Sequence, residues 1–233
     1  MQKSTTAEGT LAPALFDEYA AQWHSKISDL GNPDVTNYFA NGTGGRLTYL
    51  TFSIQRVAEL VSAVGVKYIK ARFVLMPDAS SGQYRFSLVL FAADQEDRRL
   101  TAYYLPDAPQ DAPPTVGEPL PGGLAGLWQA AWAEASPLTS AMFTTSYGVL
   151  KGYNFDLKDF LTPLFTNDQP YDKQQVRVGM GLHSYITPDD QYTQTFGLMV
   201  RRFDPTGQES SGKLQSVADF EFFDLSTPCP PVI

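Results

Sequence analysis

YIKARFVLM, residues 68–76, alternates apolar with charged side chains, and this alternation decides the fold class. Its apolar positions are Ile69, Ala71, Phe73 and Leu75. A period of two is typical of a β-strand that buries one face, so Lys70 and Arg72 are expected to face solvent. The chain then turns at PDASSGQ, returns through YRFSLVLFAA, turns again at DQEDRR and continues through LTAYYL. Residues 67–106 therefore predict an antiparallel three-stranded meander.

A similar order of elements follows in the second half of the chain. DLKDFLTPLF predicts a short helix, after which VRVGMGLHSYI (176–186), a TPDDQ turn and YTQTFGLMVRRF (192–203) predict a hairpin. SVADFEFFDL (216–225) is expected to supply the third strand. Aligning residues 176–186 with residues 69–79 brings the two turns together. Sequence identity between the two halves is low, which favours two units of the same structural class over a true internal repeat. One six-stranded sheet and two sheets about a pseudo-twofold axis both remain open.

Three further segments have the apolar period of amphipathic helices. The first carries its stripe on Phe16, Tyr19, Ala20, Trp23, Ile27 and Leu30, between Pro13 and the stop signals Gly31 and Pro33. The second, residues 53–64, has Ser53 as its cap and turns Ile54, Val57, Leu60, Val61 and Val64 inward. The third, LAGLWQAAWAEA, has its stripe on Leu124, Leu127, Trp128, Ala131 and Trp132. The prediction is an α+β protein, in which antiparallel sheet from two helix-plus-three-strand units carries helices packed on one face.

Six prolines lie between Leu105 and Gly123, and such a segment cannot form an interior strand or helix. We therefore expect an N-terminal unit (1–105), a Pro-rich linker (106–123) and a C-terminal unit (124–233). A single core shared by both units is the alternative.

Composition narrows the function classes. A net charge of −8 argues against sequence-independent nucleic-acid binding, which depends on clustered Lys and Arg. No apolar run approaches the length of a membrane span, and the single cysteine, Cys229, excludes an internal disulfide or a Cys-based zinc site within one chain. We expect a cytoplasmic protein without a metal or cofactor.

The first candidate site is the glycine loop NGTGGR, residues 41–46, which precedes a helix. Backbone N–H groups of residues 43–46 could hold an anion, with Arg46 as the counter-charge. The loop does not carry the lysine of a P-loop, and no convincing strand precedes it. The interpretation we favour is a connector whose glycines adopt positive φ.

The second candidate site lies on the predicted strand 176–186. One face of this strand carries Arg177, Gly179, Gly181 and His183, and Gly197 follows on the neighbouring strand. Glycine inside a strand often marks the close approach of another backbone or of a ligand. These residues predict a shallow trough for a ligand or for a partner's helix or strand. The alternative is that a helix of this same chain packs there.

The leading functional hypothesis is a non-enzymatic interaction or assembly protein, with a protein partner or a second copy of the chain. It rests on low charge density, many aromatic and neutral polar residues, the Pro-rich linker and the extended tail FDLSTPCPPVI. No residue is assigned a catalytic or metal-binding role. The alternative is a small-molecule-binding domain or enzyme with a pocket between a curved sheet and the helices. Its polar groups would come from Arg177, His183, Arg72 and Tyr84 or Tyr192.

Overall fold

The computed structural model describes residues 8–41, 44–78, 81–107, 123–165, 175–187, 189–203 and 227–228. Most of the predicted linker, the expected strand 216–225 and the tail around Cys229 lie outside the described residues. In chain order the elements are β1 (Thr10–Leu11), α1 (Pro13–Ser28), α2 (Val35–Tyr38), β2 (Tyr49–Ser53), α3 (Ile54–Val61), β3 (Tyr68–Pro77), β4 (Tyr84–Ala93), β5 (Tyr103–Tyr104), α4 (Gly123–Glu134), a 3₁₀ turn (Ser140–Phe143), β6 (Thr144–Thr145), β7 (Gly148–Val149), β8 (Gly152–Asp156), α5 (Leu157–Phe165), β9 (Gln175–Ile186), β10 (Tyr192–Phe203) and β11 (Thr227–Pro228). The protein is α+β with antiparallel sheets, as predicted.

Both predicted hairpins are confirmed, and they lie in separate sheets. The first sheet has the strand order β1–β5–β4–β3–β8–β11, and the second has the order β10–β9–β2. A two-stranded hairpin of β6 and β7 completes the set among the described residues. The long antiparallel strands follow from alternating apolar side chains that one face of each strand buries.

Two five-residue strands, β2 and β8, were not predicted. Strand β2 lies between the glycine loop and α3 and pairs with β9, from Tyr49 opposite Gly179 to Ser53 opposite Gln175. Strand β8 pairs with β3 from the other half of the chain, and Arg72 lies opposite Gly152. Each long hairpin thus receives a further strand from beyond the Pro-rich segment.

The main hydrophobic core draws side chains from both sides of the Pro-rich segment. At its centre are the rings of Trp23, Phe39, Trp132, Phe143 and Phe196, all at most 1% exposed. Phe39 and Trp132 meet edge to face with 5.0 Å between ring centroids, a geometry that aromatic quadrupoles favour.

The predicted helices form, but three apolar side chains that were predicted to be buried are exposed to solvent. Ser53 caps α3 by accepting a hydrogen bond from the backbone N–H of Arg56, as predicted. Leu30 and Val64 are 70% and 95% exposed, because α1 and α3 end before these residues. Leu127 lies within α4 but is 66% exposed.

The second face of the first sheet is covered, which corrects the prediction that Lys70 faces solvent. Lys70 is only 2% exposed and forms an ion pair with Asp97 in the turn that follows β4. On the same face, side chains of α1 pack against Val74 and Val89, whereas Trp23 of α1 reaches the main core. Helix α1 therefore contributes to both faces of this sheet.

Candidate functional site

The strand that carries the predicted trough has the faces that the sequence indicated. The side chains of Val176, Val178, Met180 and Leu182 lie in the main core. Arg177, Gly179, Gly181 and His183 occupy the opposite face of β9, and Gly197 of β10 lies directly opposite Gly181. The predicted residues are therefore brought together on one surface of the second sheet.

This surface is filled by α4 of the same chain. The indole of Trp128 stacks on the imidazole of His183, with centroids 3.9 Å apart and ring planes 17° apart. A Cβ atom at Gly181 would lie 3.0 Å from the Cβ of Trp128, and one at Gly179 would lie 2.9 Å from the amide nitrogen of Gln129. The close approach that the glycines predict is thus made by an internal helix, which was the alternative interpretation of the trough.

His183 and Arg177 also take part in internal packing. A Cβ atom at Gly197 would lie 2.0 Å from Nε2 of His183, so the imidazole occupies the space above this glycine. The guanidinium of Arg177 lies 4.1 Å from the ring centroid of Tyr49 on β2, and Arg177 is 5% exposed. A guanidinium over an aromatic face is attracted by the ring quadrupole, so this contact fastens β2 to β9.

Arg46 lies apart from the trough and contacts the end of α4. Its Nη1 donates a hydrogen bond of 2.5 Å to the carbonyl of Trp132, and its guanidinium lies 5.4 Å from the Trp132 ring centroid. Burial lowers the pKa of Arg46 from its ordinary value. A cation is favoured at this end of a helix, where carbonyl groups have no partner within the helix.

The glycine loop itself is closed by a side chain. Backbone N–H groups of Gly44 and Gly45 donate to the carbonyl and to the side-chain oxygen of Asn41 at 3.2 and 2.7 Å. Residue 43 of the anticipated anion cradle (43–46) and the preceding residue 42 lie outside the described residues. Gly44 has a φ of +83°, which agrees with a connector that uses the conformational freedom of glycine.

The other polar residues expected around an alternative pocket, Arg72, Tyr84 and Tyr192, lie on β3, β4 and β10 rather than on β9 with Arg177 and His183. Arg72 donates hydrogen bonds to the carbonyl of Tyr153 and to the side chain of Asn154, and so joins β3 to β8. Tyr84 packs against the main core, whereas Tyr192 lies at the far end of the second sheet. Within the described ranges, no group of three or more His, Cys, Asp or Glu side chains could hold a metal ion.

The far end of the β9–β10 hairpin carries exposed apolar and aromatic side chains that the sequence did not single out together. We call Tyr185, Ile186 and Tyr192, with the acidic turn of Asp189 and Asp190, the hairpin tip. Tyr185, Ile186 and Tyr192 are 48%, 69% and 68% exposed. The Tyr192 hydroxyl donates a 2.9 Å hydrogen bond to the hydroxyl of Ser184, which holds the ring across the two strands.

A cleft of about 810 Å³ opens between β1, β5 and the start of α3. Its lining includes Gln55, Glu59, Arg99, Tyr103 and Tyr104. Burial raises the pKa of both tyrosines, and a hydrogen bond to Glu59 raises that of Tyr104 further. The guanidinium of Arg99 lies 4.2 Å from the ring centroid of Tyr103.

Arg56 of α3, which lines this cleft, binds the segment that follows β5. Its Nη1 donates to the carbonyl of Leu105 at 2.8 Å and forms an ion pair with Asp107 at 2.5 Å. Gly9 has a φ of +79°, and a Cβ atom there would lie 2.1 Å from Nη2 of Arg56. Only glycine therefore lets the guanidinium lie against this backbone. Little in the sequence indicates the cleft, because its lining comes from three segments that are far apart in the chain.

Comparison with known proteins finds no similarity: no protein-family model, no curated protein and no solved structure matches the chain. Among the described residues, no helix combines the length and the apolar character that crossing a membrane requires.

Proposed function

We propose that this chain is a non-enzymatic protein-interaction protein whose contact surface is the hairpin tip. The observation that carries the proposal is the exposure of three large side chains at the end of one hairpin, where Ile186 and Tyr192 are paired on one face and Tyr185 lies on the other. Tyrosine is enriched at protein interfaces because its ring supplies contact area and its hydroxyl a hydrogen bond.

The hairpin tip is held in place before any partner arrives. The amide nitrogen of Gln194 lies 3.4 Å from the hydroxyl oxygens of both Ser184 and Tyr192, and the hydroxyl of Tyr185 lies 3.4 Å from that of Thr195. Side chains that are already ordered lose less conformational entropy on binding, so this network supports a contact role.

The charge of the tip indicates the chemistry of its partner. Asp189 and Asp190 are both exposed beside the apolar residues, and the chain has a net charge of −8. A surface with an apolar centre and a basic rim is complementary to this pattern, whereas a second acidic tip would repel it. We therefore expect a different, basic protein as the partner, and self-association is the other outcome to test.

Two matched double variants test the proposal. Ile186→Ser with Tyr192→Ser removes apolar area from the tip, and Leu30→Ser with Val64→Ser removes it from exposed positions elsewhere. Proteins captured from an extract of the source cells are compared for the wild-type chain and both variants. We expect a specific partner to be retained by the wild type and the control, lost by the tip variant, and weakened by added salt.

Light scattering of the purified chain over a range of concentrations tests self-association with the same variants. A mass that rises with concentration in the wild type and the control, but not in the tip variant, would make a second copy the partner. The proposal fails if the tip variant behaves like the wild type in both experiments.

The cleft supports a second candidate function, the binding of a small molecule. Its volume of about 810 Å³ lies in the range of ligand pockets, roughly 300–1,000 Å³, and charged, polar and aromatic groups line it. Thermal-shift screening of a metabolite library tests this candidate. A stabilising compound should lose its effect in Arg99→Ala and keep it in Arg85→Ala, which alters an arginine outside the cleft lining. A screen without any compound of this behaviour would remove the candidate.

A further inference from the structure

The two halves of the chain, residues 8–107 and 123–228, exchange strands reciprocally. Strand β2 of the first half lies on the edge of β9, and strand β8 of the second half lies on the edge of β3. Both exchanged strands have five residues, both pairings are antiparallel, and each strand leads directly into a helix, α3 or α5.

A buried tryptophan fixes the start of each exchanged strand. Nε1 of Trp23 donates to the carbonyl of Leu150 at 2.7 Å, and Nε1 of Trp132 donates to the carbonyl of Leu47 at 2.8 Å. Each leucine stands two residues before the first residue of its strand. The donors come from α1 and α4, so each bond crosses from one half to the other.

The hydrogen bonds around these leucines are also paired. The N–H of Leu47 donates to the carbonyl of Phe39 at 2.7 Å, and the N–H of Leu150 donates to the carbonyl of Phe143 at 2.8 Å. The two phenylalanine rings are stacked, with 5.2 Å between centroids and 9° between planes. Residues that contact their own counterparts in this way lie on a symmetry axis.

The packing of the helices repeats the same relation. Helix α1 lies on β3 as α4 lies on β9, α2 contacts β4 as the 3₁₀ turn contacts β10, and α3 contacts β9 as α5 contacts β3. Helices α3 and α5 touch each other, as counterparts beside an axis do.

We infer that the chain consists of two units of the same strand-exchanging fold, related by an approximate twofold axis at the Phe39–Phe143 stack. The contact surface of each unit is the edge of β3 or of β9 together with the apolar face of the same hairpin. The partner that this surface binds is another unit of the same kind. In each half one edge of the hairpin, that of β3 or of β9, is completed by a strand of the other half, and an open edge with an apolar face is a template for association.

The two hairpins differ in length, and this difference is relevant to the proposed contact role of the hairpin tip. The interpretation in this paragraph rests on that proposed function. Strands β9 and β10 have 12 residues each, whereas their counterparts β3 and β4 have 10. The longer hairpin ends in the exposed Tyr185, Ile186 and Tyr192. These end residues are not needed for the reciprocal packing, which supports their use in a contact.

Cleavage of the full-length chain tests the inference. A recognition site for a specific protease is inserted within residues 108–122, and the purified protein is cut there. We expect the two fragments to elute together in native buffer, and their unfolding midpoint to depend on concentration because association now contributes to stability. Separation or aggregation of the fragments after cleavage would overturn the inference.

Matched tryptophan variants of the cleaved protein test the twofold relation itself. Trp23→Phe and Trp132→Phe each leave one carbonyl without its donor, and each should raise the dissociation constant of the fragments roughly tenfold. Trp128→Phe is the control, because Trp128 packs on β9 of its own half and should leave the constant unchanged. A large effect from only one of Trp23 and Trp132 would refute the symmetry. The variant Ile186→Ser with Tyr192→Ser should leave the fragments paired, so failure of the proposed function is seen separately.

Discussion

Replacement of Gly152 by alanine should disrupt the pairing of β8 with β3. Gly152 lies opposite Arg72 and has a φ of +143°, a conformation that residues with a side chain rarely adopt. A Cβ atom there would lie 2.0 Å from the carbonyl oxygen of Ala71 and 2.9 Å from the Cα of Arg72. Both atoms belong to the backbone of β3, so no change of rotamer relieves the overlap. Because carbon and oxygen in close contact stay about 3.3 Å apart, β8 must move by roughly 1 Å.

The expected loss of stability has two parts. The unfavourable φ costs about 1–3 kcal/mol, and forcing a methyl group into a packed position costs about 1–3 kcal/mol. The free energy of unfolding should therefore fall by about 4 kcal/mol, a large part of the 5–15 kcal/mol that is usual for a folded protein. For a chain of this length, this change corresponds to a decrease of roughly 8–16 °C in Tm.

Gly65→Ala provides the matched control. Gly65 also has a positive φ, +84°, but no heavy atom of the described residues, apart from Gly65 and its two chain neighbours, lies within 4 Å of the position that a Cβ would take. This variant should lose only the conformational part, about 1 kcal/mol. Urea denaturation followed by circular dichroism gives both free energies. If Gly152→Ala were no less stable than Gly65→Ala, the close approach of β8 to β3 would be wrong.

Three further variants test the internal contacts. Gly181→Val should lower the free energy of unfolding by about 1–3 kcal/mol because Trp128 must move, whereas an open trough would accept valine without loss. Urea denaturation measures this free energy and distinguishes the two cases. Arg46→Met should lower the free energy of unfolding by about 1–2 kcal/mol by removing the donor to the last turn of α4, and an unchanged thermal midpoint would contradict this role. Burial alone would raise the pKa of Asp94, but hydrogen bonds from Arg98 hold it below its ordinary value of 3.8. The stability from this carboxylate is present above pH 3.8 and lost as pH falls through the lower folded-state pKa, so the free energies of unfolding of wild type and Asp94→Asn should converge on acidification.

Predictions based on local pattern succeeded where the pattern has a local cause. The cap at Ser53 depends on residues three apart, and the alternation along β9 depends on the pleat of a single strand. The same reasoning failed at Leu30 and Val64, because a helical period in the sequence does not show where the helix ends. It failed at Lys70 because the covering turn comes from residues beyond β4.

The candidate site shows the same division. The glycines at 179, 181 and 197 correctly indicated a close approach, and their alternation placed them on one face with Arg177 and His183. The occupant could not be read from β9 or β10, because Trp128 lies some fifty residues earlier in the chain. Arg46 was the counter-charge in the anion interpretation of the glycine loop, which was not the favoured one, and its partner is a carbonyl of a distant helix.

The sequence by itself determined the elements that periodicity, capping and turn residues specify: α1, α3, the two long hairpins and their buried faces. The tertiary structure decided which strands complete each sheet, what fills the glycine trough and which end of a hairpin remains exposed. The strands β2 and β8 have five residues each, and their local pattern does not show which strand they pair with; they are stabilised by edges supplied from the other half of the chain. Such pairings depend on contacts between residues far apart in sequence, and only the folded chain brings those residues together.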